Sequence, residues 1–195
     1  MKKVLLFLPE GFETFEASVF IDVIGWNLID GDGTTQLFSC GLTKEVKSTF
    51  NQKMIVDFTL EEINVDDYNA LAIPGGFKEY DFYPSAYNPR FSELIRKFHQ
   101  QDKLIATICT GAFPVAKSGI LNGRKGTTYN MDPVKQQKLA EMGVDVVQQP
   151  IVRDGNIITS WNPSTALEVA FQLLEHLTSV EQARKIRELM GFANF

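Results

Sequence analysis

Leu104-Ile105-Ala106-Thr107-Ile108-Cys109-Thr110-Gly111-Ala112-Phe113-Pro114 decides the fold. Leu104 to Ile108 is a short run without polar alternation, the pattern of a strand covered on both faces. Cys109 ends that run, small residues follow, and the chain hands over to a helix. A strand that turns sharply into a helix at a nucleophilic side chain is a nucleophile elbow, which holds that side chain out at the top of an α/β sheet. The helix end behind it, with free N–H groups and the positive end of its dipole, favours thiolate over thiol. An isolated free cysteine is most often a small buried hydrophobe. The strand, turn and helix around Cys109 reverse that reading.

The rest of the chain repeats the strand–helix theme. Val4 to Leu8, Gln36 to Cys40 and Ala70 to Ile73 are further short apolar runs, expected as parallel strands. Glu13 to Ile29 has apolar residues at helical spacing and stops at Asp30-Gly31. Pro89 to Gln101 opens on a proline, a favoured first helical residue. Met54 to Phe58 is expected in a peripheral hairpin. Later, Asp132-Pro133 opens a helix to Met142, Val144 to Val147 forms a short strand, and Gly155-Asn156 turns a ribbon between residues 151–153 and 157–160. Asn162-Pro163-Ser164-Thr165 starts the helix to Leu177, and Ser179 caps the helix to Leu189. No repeat, linker or low-complexity tract interrupts this order. The expected fold is α/β, a three-layer α/β/α sandwich on a flavodoxin-like, doubly wound, mainly parallel sheet, in one domain spanning residues 1–195. Such folds bind ligands outside the carboxyl ends of the strands, where the strand order switches.

Composition excludes several classes. With 195 residues, 44% hydrophobic and 22% charged, the chain can bury a core of its own. A net charge of −5 without a basic stripe argues against nucleic acid as a partner. No apolar run approaches the roughly 20 residues of a membrane span, so no membrane partner is expected. Two cysteines, Cys40 and Cys109, are too few for a disulfide framework, and Val4 to Leu8 is too short for a signal peptide. A cytoplasmic location is expected. Cys40 ends a core strand and reads as packing.

Three loops should open onto the crevice: Pro9 to Glu16 after the first strand, Pro74-Gly75-Gly76-Phe77 after Ile73, and the loop that begins at Cys109. The two glycines let backbone approach a ligand closely, which makes the N–H groups of Gly76 and Thr110 candidate oxyanion donors. The first loop offers three acids, Glu10, Glu13 and Glu16.

Together these segments resemble the ThiJ/PfpI superfamily, the class I glutamine-amidotransferase-like proteins that include protein deglycases. The resemblance is carried by Val4 to Leu8 with Gly11 and Glu16, Ile73-Pro74-Gly75-Gly76, Ile108-Cys109-Thr110-Gly111, Gly126-Thr127-Thr128 and Arg153 to Ser160, nearly the whole chain. It implies that Cys109 is the nucleophile or redox centre and that the first-loop acid touching it is Glu16. An acid and a thiolate in contact must share a proton, which raises the acid's pKa and makes the two titrate as a pair. The chain departs from the hydrolytic members at the histidine. Where they carry it, after the cysteine or after the Thr-Thr segment, stand Thr110 and Tyr129. His99 and His176 lie on helices away from the crevice. A histidine-dependent protease or amidase is therefore disfavoured.

Three functions remain open at this level. Cys109 adds to small electrophilic carbonyls, in glyoxalase or deglycase fashion. Alternatively it attacks an isonitrile, since residues 109–112 and 119–124 resemble the isonitrile hydratase branch. Or it is a non-enzymatic thiol that senses oxidation, with chaperone or signalling consequences. Phe12, Gly75, Phe77, Tyr129, Trp161 and Asn162 are expected around a small-molecule substrate. Neither cofactor nor metal ion is expected. The resemblance implies a homodimer, built from the first helix and the hairpin. The chain ends soon after Gly191, which leaves no room for the DNA-binding domain that regulator-type relatives carry.

Overall fold

In the computed structural model, which describes residues 1–192, the alternating pattern becomes three layers. The strands are β1 (Lys2–Phe7), β2 (Thr35–Gly41), β3 (Glu45–Lys47), β4 (Lys53–Ile55), β5 (Phe58–Thr59), β6 (Ala70–Ile73), β7 (Leu104–Thr107), β8 (Lys125–Gly126), β9 (Asp145–Val146), β10 (Ile151–Asp154) and β11 (Ile157–Ser160). The helices are α1 (Thr14–Ile29), α2 (Phe82–Ala86), α3 (Pro89–Gln100), α4 (Ala112–Lys117), α5 (Pro133–Glu141), α6 (Pro163–Leu177) and α7 (Val180–Leu189). Seven strands form the central sheet in the order β10-β11-β7-β6-β1-β2-β5, with only β10 antiparallel to its neighbour.

Strand β1 explains the layering. Its side chains alternate across the sheet, so Val4 and Leu6 join one apolar cluster with Phe20, Ile24, Val169 and Leu173 of α1 and α6. Leu5 and Phe7 join the other, with Phe91, Ile95, Val115 and Leu139 of α3, α4 and α5. Both faces are buried, hence the unbroken apolar runs. From β1 the chain winds outward to β2 and then returns to β6 on β1's other side. That reversal parts the loops after β1 and β6 and leaves the crevice between them.

Two peripheral segments differ from the pattern reading. Met54 to Phe58 does not act as one strand. Lys53–Ile55 pairs with Glu45–Lys47 as the hairpin, whereas Phe58–Thr59 adds to β2 as the sheet's edge. Asp57 divides them: its carboxylate accepts from Ser39 N–H and Ser39 hydroxyl, both at 2.8 Å, and pins the chain to β2. Residues 144–147 form only Asp145–Val146, which pairs with β8 in a separate small sheet.

Candidate active site

The elbow is built as its sequence implies. Cys109 has φ of 55°, in the left-handed region that a non-glycine residue enters only when its surroundings compel it. Two contacts hold it there. Thr128 hydroxyl donates to the Cys109 carbonyl at 2.8 Å, and Gly111 N–H donates to the Ile108 carbonyl at 2.8 Å. Gly111 is small by necessity, because a Cβ there would lie 2.7 Å from the Ile73 carbonyl oxygen. Cys109 remains partly exposed, whereas Cys40 is fully buried.

Glu16 reaches the thiol from the first turn of α1. Glu13 is the cap of that helix, accepting Glu16 N–H at 2.9 Å, and Glu10 accepts Lys47 N–H at 3.0 Å, so both alternative acids serve the backbone instead. Glu16 is wholly buried. One carboxyl oxygen accepts Gly75 N–H at 2.7 Å, and the other has no hydrogen-bond partner. Gly75 marks how tightly the groups converge. A Cβ there would sit 2.8 Å from Cys109 Cβ, from a Glu16 carboxyl oxygen and from Thr110 Oγ1 alike.

Burial raises the Glu16 carboxyl from 4.5 to about 8; the hydrogen bond from Gly75 N–H and the nearby Cys109 thiol oppose this, and the charge of Glu13 adds to it. The thiol is also pushed up, first by burial and then by the charge of Glu16. Only Thr110 N–H and the Lys135 ammonium favour its ionised form. Burial and the charge of Glu16 thus work against the thiolate that the helix end and a proton shared with Glu16 were expected to favour.

The oxyanion donors also differ from expectation. Gly76 N–H donates to Thr110 Oγ1 at 2.8 Å, and the same hydroxyl donates to the Gly76 carbonyl at 2.9 Å. Thr110 thus clasps Gly76, and its N–H is not free to meet an oxyanion. Among the expected wall residues, Phe12 is buried in the core, because bridges to Ser48 and Gly76 draw it beneath the hairpin. Asn162 caps α6 by accepting from Ser164 N–H and hydroxyl, and its amide nitrogen donates to Asn130 at 2.7 Å. Phe77 is exposed, Tyr129 half-buried under the Lys135 ammonium at 5.8 Å, and Trp161 half-buried with its indole N–H unpartnered. The sequence reading passed over Lys135, which has the look of any solvated helix residue, and Gln136, whose amide bonds Thr128 and Thr127 behind the elbow. Thr128 was visible in the Gly126-Thr127-Thr128 segment.

His99 bonds Asn156 at 2.9 Å and His176 bonds Arg153 at 3.3 Å. Among the described residues no three His, Cys, Asp or Glu side chains gather as a metal site would need, and no helix is long and apolar enough to cross a membrane.

A doubly wound sheet with a cysteine on a left-handed elbow and a buried acid beside it defines a class of thiol-centred α/β proteins. The DJ-1/PfpI family profile matches residues 2–176, and the chain belongs to that family. It is 29% identical to Protein DJ-1alpha of Drosophila melanogaster over 192 residues, covering 97% of this chain and 83% of that one. It is 34% identical to Deglycase PfpI of Pyrococcus furiosus over 108 residues, 55% of this chain and 61% of the relative. The crystal structure of Drosophila melanogaster DJ-1beta superposes with a TM-score of 0.85 at 25% identity, covering 97% of each chain.

Proposed function

We propose that this chain, as one domain, is a cysteine-dependent protein acting on small electrophilic carbonyls, with Cys109 as nucleophile and Glu16 as its proton partner. The observation that carries the reading is the wholly buried Glu16 carboxyl, one oxygen held by Gly75 and the other unpartnered beside a thiol on a strained elbow. The matched relative called a deglycase agrees with it. On an α-oxoaldehyde, Glu16 in its ionised form takes the thiol proton as sulfur bonds to the aldehyde carbon, and returns that proton to the resulting alkoxide to give a hemithioacetal. Thr110 N–H is the donor available to that oxygen; Gly76 N–H joins it only when Thr110 releases it. Glu16 then moves the aldehyde hydrogen, as a proton, to the neighbouring carbon. The aldehyde carbon is oxidised to a thioester while the ketone is reduced to an alcohol, and water frees the hydroxy acid and the thiol. Phe77, Tyr129 and Trp161 line the approach; Asn162 shapes it by capping α6. No cofactor or metal takes part.

Methylglyoxal tests this directly. Lactate should form with the wild type and vanish with Cys109→Ala, and no lactate above buffer at high enzyme concentration removes the reading.

Two further readings share the site. The partial exposure of Cys109 favours an oxidation-responsive thiol, since an accessible sulfur oxidises before a buried one. The isonitrile reading has only the likeness of residues 109–112 and 119–124 behind it. We also read the chain as a cytoplasmic homodimer. Phe15, Trp26 and Ile29 of α1 and Ile55 of the hairpin are large apolar side chains left exposed on the elements expected at the interface. Light scattering should give twice the chain mass for the wild type and less for Trp26→Glu; a monomeric wild type at micromolar concentration would refute it.

A further inference from the structure

On the α4 side of the elbow, a cavity of about 480 Å³ opens between residues 77–79, α4 and α5. One wall is aromatic: Phe77, directly after Gly76, with Tyr83, Tyr87 and Phe113, the last about one helical turn past Cys109. The opposite wall is the first half of α5, which supplies Lys135 and Lys138, and Lys78 lies on the loop side. Residues three apart share a helix face, so Lys135 and Lys138 present two ammonium groups together. Neither has a salt-bridge partner among the described residues. The cavity's two acids are occupied. Glu79 lies 3.8 Å from Lys78, and the Asp132 carboxylate caps α5 by accepting Val134 N–H at 3.0 Å. Lys135 is half-buried against Tyr129, and its charge reaches the thiol, where it favours ionisation.

We propose that this cavity is an anion-accepting subsite, and that the electrophile attacked by Cys109 carries a carboxylate or phosphate held by Lys135 and Lys138 against the aromatic wall. The proposal rests on Cys109 as a nucleophile and narrows the substrate class. A neutral oxoaldehyde would engage only the thiol end of the site. An anionic one would add an ion pair with half-buried Lys135 and exposed Lys138 in a partly solvated site, where charges interact more strongly than in bulk solvent.

Two alkylating reagents of nearly equal size test it without requiring turnover. Iodoacetate and iodoacetamide each form one S–C bond and expel iodide, but only the first is an anion. The ratio of their rates at Cys109 cancels the thiolate fraction, and 2-mercaptoethanol supplies the ratio for an unguided thiol. Peptide mass spectrometry reads Cys109 apart from Cys40. The ratio at Cys109 should exceed the reference by about three- to tenfold, the effect of a nearby charge in a partly solvated site, and should shrink as salt is added. In the Lys135→Gln/Lys138→Gln double variant it should fall to the reference or below, while the distant Lys185→Gln leaves it unchanged. A wild-type ratio equal to the reference, or one that survives the double variant, overturns the subsite. Failure of iodoacetamide itself to label the folded wild type would instead refute the reactive thiol on which the subsite depends.

Discussion

Replacing Glu16 by glutamine should make the protein more stable at alkaline pH, and the size of the effect follows from the carboxyl's surroundings. In the unfolded chain Glu16 loses its proton near 4.5; in the folded chain burial holds it to about 8. Between those values the folded state binds a proton that the unfolded state lacks. Stability must therefore fall as pH rises through the interval, by about 1.4 kcal/mol per pH unit, or about 4–5 kcal/mol in all, and level off above it. Glutamine has nearly the same shape, keeps an oxygen for Gly75 N–H and cannot ionise, so it lacks this slope. Urea unfolding from about pH 5 to about pH 8, at fixed protein concentration and followed by the fluorescence of Trp26 and Trp161, measures both proteins. The stability of Glu16→Gln relative to wild type should climb by at least about 2 kcal/mol across that range, after allowance for imperfect isosterism. Parallel curves, or a wild type that gains stability with pH relative to the variant, would show that the carboxyl is ionised in the fold and sink the account of the pair.

Thr110→Val keeps the shape of the side chain but removes the clasp on Gly76. It should cost about 1–3 kcal/mol of stability through two unmade hydrogen bonds, yet speed methylglyoxal turnover by freeing a second oxyanion donor, whereas Thr110→Ser should resemble wild type; an equal loss of stability with slower turnover contradicts this. Mild peroxide should add oxygen to Cys109 and leave Cys40 untouched, because Cys40 is fully buried and burial pushes its thiol far up. Mass spectrometry finding equal oxidation of the two would count against a selective sensor.

How much of this could be read from the chain depends on whether a feature is local. The inner strands β1, β6 and β7 were legible because both faces are buried, so Val4 to Phe7, Ala70 to Ile73 and Leu104 to Ala106 are unbroken apolar runs, whereas the edge strand at Phe58–Thr59 has no such signal. The elbow was legible for the same reason, since its strand, cysteine and helix are contiguous. Glu16 was not: Glu10, Glu13 and Glu16 share one loop, and only the family likeness separated them, while the structure separates them by what each bonds. The clasp joins Thr110 to Gly76 across 34 positions of chain, and no local pattern announces it. Asn162 is the reverse case. Asn162-Pro163-Ser164-Thr165 is a helix-start signature, and its capping role was available wherever that signature was preferred over proximity to the crevice.

The sign of the thiol's shift could not be read because it is a balance. Sequence shows the helix end that stabilises a thiolate, but that contribution is confined to the first turn and is modest, typically below about 1 kcal/mol. It does not show that the same sulfur lies among buried groups beside an acid, and desolvation together with a like charge pulls the other way by more. With both members of the pair raised, ionisation of the pair is disfavoured, and the first proton to leave, that of Glu16, does so at about 8. Glu16, held by Gly75 N–H, carries that first charge more readily than the sulfur. The acid is then better placed to take the thiol's proton during attack than to steady a thiolate already formed, and the reactivity of Cys109 should rise through the pH range in which Glu16 becomes a base.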